Sequence, residues 1–359
     1  MKRVGLGRFS PAVSVKPHGL SLIELMVALA IGLVIIGVLL TLFINITRNN
    51  NEMAKMNRQI ENGRFAIQLL QDDLWHAGFW GDYIPQFEDR SIAAPGDTPN
   101  AVPDPCLPVA SWTTAHRDNL IGIPVQDAAG TCGVVSDQMP NTDLIVVRFA
   151  ETIAPNPGAS CAAGEVCFQA SECAAEINAT PPRRYVLGTT GFDLEVKGCS
   201  DAAPGVTTVQ TAPVRRMISN LYYVRKDGVL MRSEYRNGAH QPAQPLIEGI
   251  DALRVEYGID SIGRTGTPVS YTGTVSRGDG VADQYVTCSP CTFDQLTNVV
   301  AVRVHVLARN LEATQGYIDN KTYNLGNTAP IGPFNDGFKR HVFTTTVRLV
   351  NPAGRRDAP

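Results

Sequence analysis

One uncharged stretch near the amino terminus constrains this chain more than any other feature. No Asp, Glu, Lys or Arg occurs between Leu25 and Thr47. As a helix, Leu25–Ile46 would be about 33 Å long, close to the roughly 30 Å hydrocarbon core of a bilayer. The stretch is therefore predicted to cross a membrane as a single helix.

Charges and cysteines on either side predict the orientation of this helix. Residues 1–19 carry Lys2, Arg3, Arg8 and Lys16 and no acidic residue, which should hold the amino terminus in the cytoplasm. All eight cysteines follow the stretch, as expected for a body exported into an oxidising compartment. They are predicted to form disulfides, in pairings that the sequence leaves open: Cys106, Cys132, Cys161, Cys167, Cys173, Cys199, Cys288 and Cys291.

Two ordinary interpretations leave part of this region unexplained. A secretory signal has a shorter apolar core and a small-residue cleavage site after it, which "LTLFINITRNN" does not offer. A plain single-pass anchor explains the apolar stretch, but neither Gly19 nor the carboxylate of Glu24. A charge at the edge of hydrocarbon is costly and usually has a function.

The segment "HGLSLIELMVALAIG" resembles the class III signal of type IV pilins and type II secretion pseudopilins. The resemblance implies that a prepilin peptidase cuts between Gly19 and Leu20 and methylates the new amine of Leu20. Glu24 is then the fifth residue of the mature chain. One departure is Leu20 itself, where the family more often has Phe or Met.

The resemblance gives Glu24 a physical role in assembly. Cleavage creates a positive amine at Leu20, and Glu24 of a neighbouring subunit offers the opposite charge. The two attract strongly in a low dielectric, whereas either one alone is costly, so the pair can drive assembly and set axial register. The alternative is that Glu24 only caps the first turn of its own helix.

The helical pattern continues beyond the membrane. Apolar residues and one glycine recur every three or four positions: Met53, Met56, Ile60, Gly63, Ile67, Leu70 and Leu74. We expect this face to pack on the protein's own sheet, with a coiled-coil partner as the alternative. The helix should end near His76–Gly78.

The rest of the chain predicts a β-rich body. Residues 81–142 are expected to be mostly loop, with Trp112 and "NLIGIPV" as short buried pieces. In "VVAVRVHVLAR", Arg303 and His305 alternate with valines, which predicts a strand with one solvent face. Asp227-Gly228 predicts a tight hairpin. The predicted strands are Asp143–Phe149, Arg184–Gly188, Phe192–Val196, Asn220–Tyr235, Leu246–Asp260, Asn298–Asn310 and His341–Val350.

These features predict an α+β fold, with a long N-terminal helix packed on antiparallel β-sheet. Its transmembrane half precedes an amphipathic half. Four segments are expected: a leader (1–19), a transmembrane and assembly helix (20–46), its amphipathic continuation (47–80) and a periplasmic globular domain with disulfide loops (81–359).

Several segments also resemble PilW-like minor pilins of the type IV pilus, in the same order. They are "NGRFAIQLLQDDLWHAGFWG", "PLIEGIDALRVEYGID", "LTNVVAVRVHVLARN" and "HVFTTTVRLVN". The resemblance implies a low-abundance subunit that is anchored in the inner membrane before assembly and lies in the surface pilus afterwards. Its implied partners are other minor pilins, the major pilin and a large adhesin-like tip protein, with which it primes assembly near the tip. A PulJ-type pseudopilin of type II secretion is the alternative.

The sequence predicts no enzyme, cofactor or metal site. The pair Cys288 and Cys291 favours a structural disulfide over redox or zinc chemistry, because no second C-x-x-C accompanies it. "CAAGEVCFQASEC" is expected to be a stapled loop, with Cys199 a plausible fourth member. The Asp and Asn residues of "YIDNKTYNLGN" and "FNDGF" are expected to be solvated turns.

Nucleic-acid capture is a weaker alternative. The net charge is −3, and residues 1–19 carry +4, so the remainder carries −7 (−3 − 4). An acidic body argues against binding a phosphate backbone. Local basic loops in "PPRRY" and "APVRRM" keep the alternative open.

Overall fold

The computed structural model describes residues 19, 21–127, 132–153, 161–199, 210–288 and 290–357. The chain divides into two compact units, Met1–Ala54 and Lys55–Pro359. Among the described residues, one helix, α1 (Leu22–His76), is long and apolar enough to cross a membrane. In the first unit its apolar side chains are exposed, Leu33 for example by 70%.

In the second unit, α1 packs on the body through one face. Its buried residues recur every three or four positions and are Gln59, Gly63, Ala66, Leu70 and Leu74. The expected packing on the protein's own sheet is therefore observed, but the face is shifted. Met56 is 48% exposed and contributes nothing to the core. The buried part of the helix begins at Gln59, whose Nε2 donates to Ala308 O at 2.7 Å.

Twelve strands among the described residues form two antiparallel sheets. They are β1 (Val125–Gln126), β2 (Ile145–Ala150), β3 (Cys167–Ala170), β4 (Tyr185–Gly188), β5 (Val214–Arg225), β6 (Val229–Arg236), β7 (Ala239–His240), β8 (Gln244–Glu248), β9 (Ile250–Ile259), β10 (Gln284–Val286), β11 (Val299–Arg309) and β12 (Arg340–Arg348). The larger sheet has the order β1-β2-β5-β3-β4, and β6 joins β7 and β8 to β5. The smaller sheet has the order β10-β9-β11-β12.

The predicted hairpin and α+β class are confirmed. β5 and β6 pair directly across Asp227-Gly228, where Gly228 has a φ of +81° that an L side chain rarely adopts. One apolar core joins α1 to both sheets, and it contains Leu70, Ile145 and Val304. The long helix and the antiparallel sheets thus share a single core.

The helical content of the body was underestimated. Helix α2 (Thr114–Gly122) lies in the region expected to be mostly loop, and Thr113 caps it by accepting from His116 N–H at 3.1 Å. The short helices α3 (Ala174–Ile177) and α4 (Phe293–Thr297) and the C-terminal helix α5 (Val350–Asp357) were also missed. Each is too short for apolar periodicity to reveal it.

Two strand predictions were wrong. Phe192–Val196 makes only an isolated bridge, from Glu195 to Thr211, and is not a strand. Leu246–Asp260 is two strands in different sheets, because the chain turns at Gly249, whose φ is +77°. A Cβ at Gly249 would come within 2.8 Å of Arg309 O, so the turn requires glycine.

The expected solvent face of β11 was wrong in part. Arg303 is partly exposed, but His305 is only 6% exposed. The long connection between β11 and β12 lies over this face, and its Asn327 N–H donates to Glu256 Oε1 at 3.0 Å beside His305. Alternation along one strand cannot show that a distant loop covers it.

Candidate assembly site

The predicted assembly residues lie at the amino end of α1. Ser21 Oγ accepts from Glu24 N–H at 3.2 Å, and Glu24 Oε2 accepts from Ser21 N–H at 2.8 Å. This reciprocal pair is a capping box, which satisfies two donors that the helix itself cannot. Gly19 is exposed just before it. Leu20 and the leader residues 1–18 lie outside the described residues.

The capping box occupies only part of the Glu24 carboxylate. Ser21 N–H is bonded to Oε2, and no residue in the described part of the chain donates to Oε1. A second donor can therefore reach Oε1 without breaking the cap. The capping interpretation and the assembly hypothesis for Glu24 are compatible in this geometry.

An exposed apolar surface begins directly after the capping box. Large hydrophobic side chains along α1 are more than half exposed, including Ile23, Leu33, Val34 and Phe43. The hydroxyl of Thr41 donates to Val38 O at 2.8 Å, so this polar group is satisfied within the helix. Such a surface is stable only in lipid or against other apolar helices.

Eight cysteines of the body form four disulfides, and no free thiol is found among the described residues. Their Cα–Cα distances of 4.8–5.9 Å suit the bond. The pairs are Cys106–Cys132, Cys161–Cys167, Cys173–Cys199 and Cys288–Cys291. Glu195 lies near the Cys173 and Cys199 sulfurs, but their disulfide leaves no thiolate for a metal.

One arginine in each of the basic loops weighed for nucleic acid is paired with an acidic residue. Arg183 is bonded to Asp193 and lies 3.3 Å from Glu176 Oε1. Arg216 Nη2 lies 3.6 Å from Glu151 Oε1. These pairs reduce the positive charge that could meet a phosphate backbone.

A buried cation holds the connection between β11 and β12, where solvated turns were expected. The Arg340 side chain is 2% exposed and lies 2.9 Å from Asp319 Oδ2, whose side chain is fully buried. Its Nε also lies 2.6 Å from Asp251 Oδ2. The expectation of solvated turns was wrong for Asp319, because the charged partners are too far apart in sequence to give a signal.

A second buried cluster lies between β2, β6 and β7. His240 is 7% exposed and Arg148 is 1% exposed. Ser233 Oγ donates to Gln241 O at 2.6 Å, so His240 Nδ1–H must be the donor in its 3.0 Å contact with Ser233 Oγ. Burial, and then the Arg148 guanidinium, lower the pKa of His240 to about 4. The imidazole is therefore neutral at neutral pH.

Comparisons with known proteins agree with this geometry. The family described as Type IV Pilus-assembly protein W matches residues 221–351, and the Prokaryotic N-terminal methylation motif matches residues 16–40. No curated protein sequence matches the chain. Among solved structures, the type IV-like pilin TTHA1219 from Thermus thermophilus is similar, at 14% identity and a TM-score of 0.32. The match covers 82% of this chain and 98% of that one.

One family match covers the exposed apolar start of α1, and the other covers much of the β-rich body. The methylation motif contains Gly19, Glu24 and much of the apolar surface, and the PilW match extends from β5 to the start of α5. The resemblance to PilW-like type IV pilins is confirmed. The two family matches support a role in the type IV pilin class.

Proposed function

We propose that this PilW-like chain is a minor pilin that takes part in priming type IV pilus assembly and is placed near the pilus tip. The observation that carries the proposal is that the chain contains both family matches, the methylation motif on α1 and the PilW match in the body. An exposed apolar helix begins with the Ser21–Glu24 capping box, and the same helix enters the PilW-like body and packs there. The role is structural rather than enzymatic.

Assembly begins with processing at the membrane. A prepilin peptidase cuts between Gly19 and Leu20 and methylates Leu20, while α1 spans the inner membrane with its amino terminus cytoplasmic. The body is periplasmic, which suits its four disulfides. In the filament, α1 exchanges lipid for the apolar helices of other minor pilins and the major pilin.

Glu24 sets the axial position of α1 relative to the neighbouring subunits when the helix leaves the lipid. Its Oε1 accepts from the Leu20 amine of a neighbouring subunit, while Oε2 keeps the bond from Ser21 N–H. In an apolar bundle, a misaligned helix would leave both charges unpaired, which is strongly unfavourable. The ion pair therefore selects one axial position.

Two substitutions at Glu24 separate register from capping. Glu24→Gln keeps an acceptor for Ser21 N–H but has no charge, whereas Glu24→Ala loses both. We expect normal leader cleavage for both variants and loss of both from sheared filaments, measured by immunoblot. Normal incorporation of the Gln variant would reject the ion pair and leave only the cap.

The choice of filament is tested by deletion. The gene is deleted in a strain whose pili cannot retract, and sheared pili and secreted enzymes are quantified together. Greatly reduced pili with normal secretion are expected for a priming minor pilin. Normal pili with blocked secretion would instead indicate a PulJ-type pseudopilin.

A further inference from the structure

The last strand of the smaller sheet has an open edge. β12 pairs with β11 on one side only, without a bulge over its nine residues. Leu349 N–H donates to Val300 O at 2.8 Å, which fixes the alternation of the ladder. The N–H and C=O groups of Val342, Thr344 and Thr346 therefore point away from β11. No backbone hydrogen bond within the described part of the chain reaches them.

A groove lies directly beside this edge. It measures about 490 Å³ and is lined by residues 64, 67, 68, 71 and 72 of α1 and by Phe343 and Thr344 of β12. Gln59 Nε2 donates to Lys339 O at 3.1 Å, and Asn351 Nδ2 donates to Ala77 O at 3.1 Å. Helix and strand thus run side by side in the same direction, with the groove between them.

Gly63 shapes the floor of the groove. A Cβ at this position would lie 2.2 Å from the Phe343 ring, so only glycine lets the ring lie against the helix. Phe343 and Ile67 give the groove an apolar floor. An extended chain could place one apolar side chain there while its backbone reaches β12.

The two ends of the groove carry opposite charges. Arg64 follows Gly63, which lies against Phe343, and Asp72 lies two helical turns further along α1, about 12 Å away. Both side chains are exposed, and neither forms an ion pair with any described residue. A bound segment with an acidic residue near Arg64 and a basic residue near Asp72 could therefore form an ion pair at each end of the groove.

We propose that this groove binds an extended segment of a partner protein, which adds to β12 as an antiparallel fifth strand of the smaller sheet. The outward groups of Val342, Thr344 and Thr346 bond its backbone. Because the added strand runs antiparallel to β12, its carboxyl-terminal side lies at Arg64 and carries an acidic residue. Its amino-terminal side lies at Asp72 and carries a basic one. Main-chain bonds supply the affinity and the groove supplies the selectivity.

A second copy of β12 fits this groove poorly. Residues 340–348 contain no acidic side chain that could pair with Arg64. Proteins usually protect long edges with bulges, prolines or covering loops. β12 contains neither a bulge nor a proline, and its residues Thr344, Thr345 and Thr346 favour an extended strand.

The probe is the fluorescein-labelled peptide TKTVTET, whose Lys and Glu lie about 13 Å apart in a strand. It is added to the full chain in detergent micelles, and binding is followed by anisotropy. We expect saturable binding and slowed amide exchange at Val342, Thr344 and Thr346. The charge-reversed peptide TETVTKT should bind about fivefold more weakly, since two charge contacts become repulsive. Arg64→Glu should reduce that preference between the two peptides.

A matched pair of variants at Thr344 isolates the backbone bond. Thr344→Pro removes the outward N–H, and it also loses the 2.9 Å contact with His305 Nδ1. Thr344→Val loses the same contact but keeps the N–H. The Val variant should bind the peptide within about twofold of the natural chain, and the Pro variant about tenfold more weakly.

Three results would overturn the proposal. The first is no binding of either peptide together with unchanged amide exchange. The second is equal binding by the Pro and Val variants. The third is concentration-dependent dimerisation of the chain without peptide, seen by sedimentation and abolished by Thr344→Pro, which would make a second copy the occupant.

Discussion

Removing the buried imidazole of His240 should weaken the pH dependence of the free energy of unfolding between pH 7 and pH 4. The pKa of this group falls from 6.5 to about 4 on folding, first because of burial and then because of Arg148. A shift of this size corresponds to about 3 kcal/mol. No described residue donates to or accepts from Nε2, so protonation there gains no compensating bond.

The direction of the pH effect on the free energy of unfolding depends on whether the folded or the unfolded chain binds the proton first. Below pH 6.5 the unfolded chain takes up a proton on His240, whereas the folded chain does not until about pH 4. The free energy of unfolding therefore falls as the pH drops from 6.5 to 4, and this contribution is constant below 4. His240→Phe removes the titration, so the loss of stability between pH 7 and pH 4 should shrink by about 3 kcal/mol.

Urea unfolding of the full chain in micelles measures this difference. Trp112 reports on the region, because its ring lies 5.5 Å from Tyr235, which packs on His240. Other titrating groups, including His116, are common to both chains and cancel in the comparison. Arg148→Met should remove only part of this pH dependence, because burial is the larger cause of the lowered pKa of His240. Equal pH dependence in the natural chain and the Phe variant would refute the reasoning.

The remaining predictions concern the core and the disulfides. Arg340→Met leaves buried Asp319 without its cation and should lower the free energy of unfolding by about 3–5 kcal/mol, measured by urea titration at pH 7. Leu70→Ala, at a fully buried position of α1, should cost about 2–5 kcal/mol in the same assay. Mass mapping without reduction should find no alkylated cysteine and should recover Cys288 linked to Cys291; several free thiols would contradict the fold.

What the sequence predicts well is local. The uncharged stretch that forms the first part of α1 and the Asp227-Gly228 hairpin each depend on residues close together in the chain. The capping box was similarly accessible, because Ser21 and Glu24 have the required spacing. The short helices α2 and α4 were missed, although both have a capping Thr that could have revealed them.

What the sequence does not predict depends on distant parts of the chain. His305 is polar and alternates with valines, and only the connection from Leu311 to Lys339 makes its environment buried. Disulfide pairing is another example, because eight cysteines permit roughly a hundred arrangements. In the structure the pairs Cys161–Cys167 and Cys288–Cys291 are local, but Cys173 pairs with Cys199 across a separate strand.

In the proposed function, Glu24 has both a local role in its own helix and a long-range role in assembly. Its Oε2 satisfies Ser21 N–H at the helix start, and this bond holds the carboxylate in place before any neighbour is present. A carboxylate fixed in advance loses less side-chain freedom when it pairs with an incoming amine. In this proposal the capping box does not compete with assembly, because it orients the carboxylate and leaves Oε1 available to the incoming amine. Ser21→Pro tests this coupling, because it removes the backbone N–H that donates to Glu24 Oε2 while leaving the charge of Glu24 intact. Reduced incorporation of this variant into filaments is expected if preorganisation matters, and unchanged incorporation would show that the charge alone suffices.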